Sequence, residues 1–349
     1  MIDDPISRHV VKLRLGITDE GNFESTKATV LSIVTSFEAI AKQLSLTVDE
    51  VVRRFESSRQ ALFEARERRP KPFRDEKILA GWNGLLLGGL AELGACTANP
   101  ALIDAAERAF AHLERSLIDG GRVERFTTED GFVARPGFLE DHASVANAAL
   151  DLYEVTGKPA YAERARRIAD VILERFADTK GGFFVSPSDG ENLICRIKDA
   201  HDNATPSGSS LASKLMLRLG TMLGDPYAST AQKALESSAK SALDGPMGFG
   251  QTLLELDRLV RGSTDIVVVG ASNDPATDAL RKSALSVYVP ARTLVSVDPS
   301  NEASLAVAKE LAEGKPAGRA GQPVAYVCRD QTCSPPVTSP AELLALLKR

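Results

Sequence analysis

Apolar residues recur every three or four positions through most of the stretch from 37 to 261, which predicts a series of amphipathic helices. Tight turns that contain Gly or Pro join these helices in pairs. Local signals support the helix starts: Thr47 and Glu50 have the spacing of a capping box, and Pro159 suits the first turn of a helix. The pattern predicts about nine helices in this region.

The spacing of the pairs excludes a compact repeat array. Pro100, Pro159 and Pro226 each open the second helix of a pair, at intervals of 59 and 67 residues, whereas a tetratricopeptide hairpin repeats every 34 residues or so. The additional residues precede the first helix of a pair, in segments 122–137 and 181–199, which carry the signals of short β-hairpins. Inner helices that alternate with outer ones, with long loops on one face, indicate an (α/α) toroid.

The pattern changes after Arg261. The runs DIVVVG, RTLVSVD and PVAYVC predict three buried strands, and amphipathic segments at 275–286, 302–312 and 340–348 separate or follow them. Strands that alternate with helices favour parallel pairing through right-handed crossovers. The sequence therefore predicts a mainly α protein with a lead-in segment at 1–35, a partial (α/α) toroid at 36–262 and a small α/β domain at 263–349.

The net charge and the distribution of apolar residues limit the kinds of partner that the protein can bind. The 349 residues include 42 basic and 47 acidic side chains, a net charge of −5, which gives no overall attraction to nucleic acid or to an anionic membrane. The first residues, MIDDPISRH, differ from a secretory signal, and Asn83 and Glu92 interrupt the most apolar stretch. We expect a cytoplasmic protein with no nucleic-acid or membrane partner.

Polar side chains cluster at the starts of the three predicted inner helices. If the toroid forms, these side chains converge on one face, and carboxylates, an amide, an imidazole and an aromatic ring are what recognition of a sugar or another polyol requires. The alternative is helix capping, above all for Asp75, Thr205 and Ser207. The candidates for substrate binding are Asp75, Trp82, Asn83, His201, Asn203, Thr205 and Ser207.

Glu140, Asp141 and His142 are the stronger candidates for catalytic residues. Neighbouring positions on a helix point in different directions, so at least one carboxylate should face the apolar interior, where its proton affinity can be tuned. We therefore assign general acid/base chemistry to these three residues together with Asp202, against a structural salt bridge or cap. Trp82 lies on the apolar stripe of its helix, so core packing is favoured over a stacking platform.

No cofactor or metal is expected. Cys328 and Cys333 are too far apart for a redox CxxC, and no second ligand pair with zinc spacing is present. Two partly buried free thiols are the favoured interpretation, with a local disulfide or a redox-sensitive pair as the alternative. Nucleotide-binding motifs of the GxGxxG and GxxxxGK[ST] types are absent.

Five collinear stretches carry a family resemblance: GITDEGNFE (16–24), DEKILAGWNGLLLGGLAELG (75–94), GFLEDHASVANAALDLYEVTG (137–157), DNATPSGSS (202–210) and AYVCRDQTCSPPVT (325–338). They resemble the thioredoxin-domain-containing family of YyaL and spermatogenesis-associated protein 20. The resemblance implies a six-hairpin toroid, related to N-acylglucosamine 2-epimerase and to six-hairpin glycosidases, that follows a thioredoxin-like domain. This chain lacks that domain and looks like a C-terminal portion. Where the family reads Asp-Asp-Tyr, this sequence has Glu140, Asp141 and His142.

Two functions follow as hypotheses. The first is binding or transformation of a sugar by proton transfer, of an epimerase or glycosidase type; the second is a non-catalytic scaffold that works with a thioredoxin-like module. Carboxylates of Asp141 and Asp202 in one open pocket would favour chemistry, and carboxylates used as helix caps would favour the scaffold. Since about nine helices cannot close a ring of twelve, we also expect a bare apolar edge that a second chain or self-association covers.

Overall fold

The computed structural model describes residues 1–330 and 332–348. In this part of the chain the α-helices are α1 (Pro5–Leu15), α2 (Phe37–Leu44), α3 (Val48–Glu67), α4 (Ala80–Cys96), α5 (Pro100–Leu117), α6 (Leu139–Thr156), α7 (Pro159–Arg175), α8 (Gly208–Leu223), α9 (Tyr227–Asp244), α10 (Gly250–Arg261), α11 (Pro275–Leu285), α12 (Glu302–Ala306), α13 (Lys309–Ala312) and α14 (Pro340–Leu347). The strands are β1 (Ile78–Leu79), β2 (Ile118–Asp119), β3 (Arg122–Val123), β4 (Phe126–Thr127), β5 (Val133–Ala134), β6 (Thr264–Val269), β7 (Arg292–Val297), β8 (Val324–Arg329) and β9 (Thr332–Cys333). The chain forms two compact units, of which the second begins at Glu76.

The first unit consists of α1, α2 and α3. Their apolar faces form a core of their own, made of Val10, Val11, Ile40, Ala41, Val51 and Phe55. The hydroxyl of Thr47 accepts a hydrogen bond from the Glu50 amide at 3.2 Å, so this predicted helix start is present. Because α2 and α3 pack on α1, the boundaries differ from the proposed lead-in at 1–35 and toroid at 36–262.

The second unit contains two layers of helices. Helices α4, α6 and α8 lie side by side in an inner row that continues to α10, and α5, α7 and α9 each pack outside the inner helix that precedes them. Fifteen of the 18 residues of α6 are buried, because this helix has neighbours on nearly every side. This arrangement is a partial (α/α) toroid. Nine α-helices lie between 37 and 261, as expected, but only those from α4 onward belong to the arc.

Small residues allow α4 to approach α6 closely. A methyl group on Gly84 would lie 2.7 Å from the carbonyl carbon of Ser144, so no larger residue fits there. The other side of α4 has no such neighbour: Trp82, Leu86 and Leu93 are 65%, 58% and 51% exposed. Core packing of Trp82 is therefore wrong, and the bare apolar edge expected from the sequence is present. What covers this edge stays a prediction.

The segment before α4 is extended rather than helical. Ile78 and Leu79 pair in antiparallel register with Thr127 and Phe126, and β4 pairs in turn with β5. Since these two residues form a strand, α4 begins at Ala80 and its N-cap is Leu79. The predicted start at Asp75 is thus wrong, and Asp75 belongs to the first unit.

Only one of the two predicted β-hairpins forms. The β4–β5 pair lies in segment 122–137, as expected. Segment 181–199, in which every residue is described, contains no strand and only one end of an isolated bridge, between Ala177 and Phe183.

The C-terminal sheet has the strand order β7-β6-β8-β9. Strands β6 and β7 are parallel, as predicted, whereas β8 runs antiparallel to β6, which corrects the expectation of parallel pairing. Between β7 and β8, helices α12 and α13 pack on α7 and α8, so the chain returns from the helical layer instead of crossing over the sheet. The sheet and the arc share one apolar core, unlike the separate domain proposed at 263–349.

The cysteines differ from the favoured interpretation. A disulfide joins Cys328 on β8 to Cys333 on β9, while Cys96 and Cys195 are free and exposed. The alternative of a local disulfide is therefore correct. Within the described residues, no helix combines the length and the apolar character needed to cross a membrane.

Candidate functional site

The first turns of α4, α6 and α8 form one continuous rim at the same end of the arc. The amide of Gly81 donates to Oδ1 of Asp141 at 3.1 Å, which places the start of α4 against the start of α6. On the other side, a methyl group on Gly208 would lie 2.9 Å from the amide nitrogen of Glu140. The rim, defined as residues 79–83, 138–142 and 201–208, therefore brings together the predicted helix starts other than Asp75.

Asp141 is fully buried beneath this rim. Its Oδ2 accepts from the N-cap amide of Phe138 at 2.9 Å, and Nη1 of Arg125 donates to both carboxylate oxygens at 3.0 Å. Burial raises the pKa of Asp141 to about 6, although the Phe138 amide and Arg125 act in the opposite direction. The carboxylate thus joins α4, α6 and the β-hairpin segment.

His142 is buried directly beside Asp141. Its Nε2 accepts from the amide of Val123 at 3.0 Å, and its Nδ1 lies 2.9 Å from the carbonyl oxygen of Phe138, which defines a neutral ring protonated on Nδ1. Burial lowers the pKa of His142 to about 4. The imidazole therefore fastens β3 to α6.

Asp202 connects the starts of α8 and α10, as Asp141 connects those of α4 and α6. Its Oδ1 accepts from the Ser207 amide at 2.8 Å and from the Ser210 hydroxyl at 3.0 Å. Its Oδ2 accepts from the amide of Gln251 at 2.8 Å, so the carboxylate joins the starts of α8 and α10. Both Asp141 and Asp202 are used as helix caps, the arrangement that favours a non-catalytic domain. Catalysis by Glu140, Asp141, His142 and Asp202 stays a prediction.

Residues from the α6 and α8 parts of the rim surround a pocket of about 160 Å³, which we call the rim pocket. Glu140 lines it and forms an ion pair with Arg125. No other described residue offers a hydrogen-bond partner to the ring of His201, the amide group of Asn203 or the hydroxyl of Thr205, which also line it. The lining is completed by Phe138, Leu139, Val185, Asp199, Pro206, Ser207 and Gly208.

Trp82 and Asn83 are on the rim but outside this pocket. The Nδ2 of Asn83 donates to the carbonyl oxygen of Leu79 at 2.8 Å, an interaction within the first turn of α4. The ring of Trp82 is exposed, and its role as a stacking platform stays a prediction.

A serine-rich cavity of about 360 Å³ lies beside the rim pocket and shares Asp199 and His201 with it. Six serines of α8 and α9 line it: Ser209, Ser210, Ser213, Ser237, Ser238 and Ser241. The hydroxyl of Ser213 donates to the Ser209 carbonyl at 2.9 Å, and that of Ser237 donates to the Ala234 carbonyl at 2.7 Å. Since these protons are already used, the oxygens offer lone pairs to a ligand. This cavity was not predicted from the sequence, although the repeated serines on α9 are a visible signal.

A charged cavity of about 370 Å³, which we call the concave cavity, lies on the inner row and was also not predicted from the sequence. Its signal was the recurrence of charged residues at helical spacing inside apolar helices. They are Asp151 and Glu154 on α6, Lys214 and Arg218 on α8, and Glu255 and Arg258 on α10. Among the described residues, no group of three or more His, Cys, Asp or Glu side chains is placed to hold a metal ion.

No known family model matches the chain. Human spermatogenesis-associated protein 20 is 33% identical over 95% of this chain, and the mouse protein of the same name is 30% identical over 95%. The chain is homologous to spermatogenesis-associated protein 20. It spans 45% of the human protein and 44% of the mouse protein, so about half of each relative has no counterpart here. An uncharacterized protein of Caenorhabditis elegans, B0495.5, is 26% identical over 93% of the chain.

Several solved structures share part of the helical architecture. Cellobiose 2-epimerase from Spirochaeta thermophila matches 49% of this chain and 46% of its own, at 15% identity and a TM-score of 0.39. Unsaturated glucuronyl hydrolase from Bacillus sp. GL1 matches 65% and 73%, at 16% identity and a TM-score of 0.43. The α-mannanase BT2949 of Bacteroides thetaiotaomicron matches 68% and 69%, at 16% identity and a TM-score of 0.44. These likenesses are partial, and nothing about the activity of this chain follows from them.

Proposed function

We propose that this chain is a binding domain for a small hydroxyl-rich ligand, a sugar or another polyol, which it holds at the rim without acid/base chemistry. One observation carries the proposal: His201, Asn203 and Thr205 bring polar groups without partners to one pocket beside Glu140, while the buried Asp141 and His142 serve the backbone. A hydroxyl needs both a donor and an acceptor, and this lining supplies both.

The serine-rich cavity provides the additional volume that a bound sugar needs. The rim pocket alone, at about 160 Å³, is smaller than the roughly 300 Å³ of a typical small-molecule site. The adjoining cavity of about 360 Å³ falls in the usual range. A ligand bound across Asp199 and His201 would reach both, with its hydroxyls donating to the serine oxygens and accepting from the imidazole and amide groups.

Thermal unfolding with a library of monosaccharides and polyols tests this proposal. A ligand present at a hundredfold its Kd adds about 2.7 kcal/mol to the free energy of unfolding, which raises Tm by several degrees. We expect His201→Ala and Asn203→Ala to abolish this gain, whereas His112→Ala, at an exposed position of α5, retains it. If no compound of the library raises Tm, the proposal fails and the scaffold hypothesis is preferred.

Two further expectations enter as proposals. The first is that a second chain, either a partner or another copy, covers the apolar edge of α4 formed by Trp82, Leu86 and Leu93. The second is a cytoplasmic location, which cell fractionation tests. The exposed free thiols of Cys96 and Cys195 agree with it, whereas a disulfide such as Cys328–Cys333 is more frequent in oxidising compartments.

A further inference from the structure

We propose that the concave cavity binds a small organic acid that also carries hydroxyl groups, at a site separate from the rim. The cavity lies on the inner row, and its walls come from α4, α6, α8 and α10 together with the loop at 288–291 and the first residue of β7, Arg292. Its volume of about 370 Å³ is that of a small-molecule site. This inference uses none of the rim residues and is independent of the proposed function.

On one side of the cavity, every cation is already paired with a carboxylate. Arg218, 4% exposed, forms ion pairs with Asp151 at 2.8 Å and with Glu154 at 3.0 Å. Arg292 lies 3.3 Å from the other oxygen of Glu154. Glu92, 3.7 Å from Arg292, adds a third carboxylate on this side. Both guanidinium groups are thus fully paired, and neither requires a ligand.

The wall formed by α8 and α10 is different. Arg258 is only 8% exposed, and its Nη2 donates to the hydroxyl of Thr293 at 2.6 Å. Its Nε and Nη1 have no hydrogen-bond partner in the described part of the chain, and no described carboxylate lies within 4.0 Å of its guanidinium group. Neither nitrogen is fully enclosed, so water reaches both, and a ligand in the cavity can accept from them in its place.

Lys214 adds a second cation to the same wall. It is half-buried, and no described residue forms a hydrogen bond or an ion pair with it. The guanidinium edge of Arg258 matches the two oxygens of a carboxylate, and the ammonium group of Lys214 gives a further point of attraction. These two donors define the acid end of the ligand.

Glu255 and Gln251 define the hydroxylated end. Glu255 is 5% exposed, and its Oε1 accepts from Nε2 of Gln251 at 2.6 Å. Its Oε2 has no donor among the described residues, so it can accept from a ligand hydroxyl. Burial raises the pKa of Glu255, and protonation would reduce its repulsion of an acidic ligand. Glu255, Asp265 and Glu154 all attract Arg258, so its charge is partly compensated and hydroxyl contacts must add to the affinity for the ligand.

Titration calorimetry with gluconate, tartrate and citrate tests the inference, with acetate and glucose as probes that lack the hydroxyls or the carboxylate. We expect at least one hydroxy acid to bind, and acetate and glucose to show no binding that depends on Lys214. Lys214→Gln should weaken the acid by roughly tenfold or more, since it removes a charged hydrogen bond. Lys214 forms no hydrogen bond or ion pair with a described residue and attracts Glu255 only at longer range, so this variant should fold. Arg258→Gln serves as the second variant.

The control is Lys240→Gln, the same change at an exposed position of α9 outside the cavity. It should leave acid binding unchanged. The inference is overturned if none of the three acids binds, or if Lys214→Gln and Lys240→Gln bind the acid equally well. The His201→Ala variant separates the two sites, because it should abolish polyol binding and leave acid binding intact.

Discussion

Oδ1 of Asp141 accepts a hydrogen bond from the amide of Gly81 at 3.1 Å, so a buried carboxylate of α6 fixes the first turn of α4. Asp202 makes the equivalent connection between α8 and α10 through the amides of Ser207 and Gln251. Each aspartate satisfies backbone donors that a helix start would otherwise leave unpaired. Asp141 and Asp202, which the sequence suggests as catalytic residues, therefore connect the inner helices of the arc at the rim.

Replacement of Asp141 by alanine should reduce stability strongly. The change removes the acceptor for Gly81 and Phe138 and leaves the Arg125 guanidinium without its buried partner. We expect a loss of about 3 kcal/mol in the free energy of unfolding, measured by urea denaturation. Asp104→Ala, at an exposed position of α5, should change it by less than about 0.5 kcal/mol. Equal stabilities of the two variants would contradict the structural role.

The pH dependence of stability should reveal opposite contributions from two neighbours. The pKa of Asp141 rises from 3.8 to about 6 on folding, so the folded state binds the extra proton and stability falls as pH rises through this window. The pKa of His142 falls from 6.5 to about 4, so its contribution to stability rises with pH over almost the same window.

Asp141→Asn and His142→Asn separate these contributions. Between about pH 4 and 6, the stability of Asp141→Asn relative to wild type should increase by up to ~3 kcal/mol. The stability of His142→Asn relative to wild type should decrease by a similar amount. Urea denaturation across this range measures both differences. Variant curves that stay parallel to the wild-type curve would show that neither group titrates as its burial implies.

Much of this fold is predictable because its signals are local. The turns at Pro100, Pro159 and Pro226 and the apolar spacing predict the helix pairs, and the runs after Arg261 predict the strands. The start of α4 is not predictable in this way, because a strand pairing with Thr127 decides it. The antiparallel direction of β8 likewise depends on where α12 and α13 pack.

In the candidate site too, local features are predictable from the sequence and contacts between distant segments are not. The sequence predicts that Glu140, His201 and Asn203 meet at one rim, because the starts of successive inner helices are adjacent in a toroid. It cannot reveal that Arg125 reaches Asp141, or that Val123 donates to His142, since these contacts join separate segments of chain. The exposure of Trp82 depends on which segments pack against α4, which the apolar pattern of its own helix does not reveal.

The bare edge of α4 should drive association. Trp82 is the single tryptophan of the chain, so its fluorescence reports on this edge. We expect its emission to shift to shorter wavelength as protein concentration rises, together with an increase in sedimentation coefficient. Leu86→Lys should suppress both changes, while Leu193→Lys, on an exposed loop, should not. A monomer at all concentrations that binds no apolar dye would contradict self-association.

The number of reactive thiols tests the Cys328–Cys333 disulfide. The denatured, unreduced protein should react with a thiol reagent at two positions, Cys96 and Cys195, and at four after reduction. Four reactive thiols before reduction would show that Cys328 and Cys333 are not joined.

The central claim is that a hydroxyl-rich ligand occupies the rim beside His201, and NMR titration of the histidine ring protons tests it most directly. The chain has four histidines, and the His201→Ala spectrum assigns the resonance of interest. On addition of the monosaccharide with the largest thermal shift, the His201 resonance should move in a saturable way while those of His9 and His112 stay in place. A His201 resonance that does not move at saturating sugar would contradict the account.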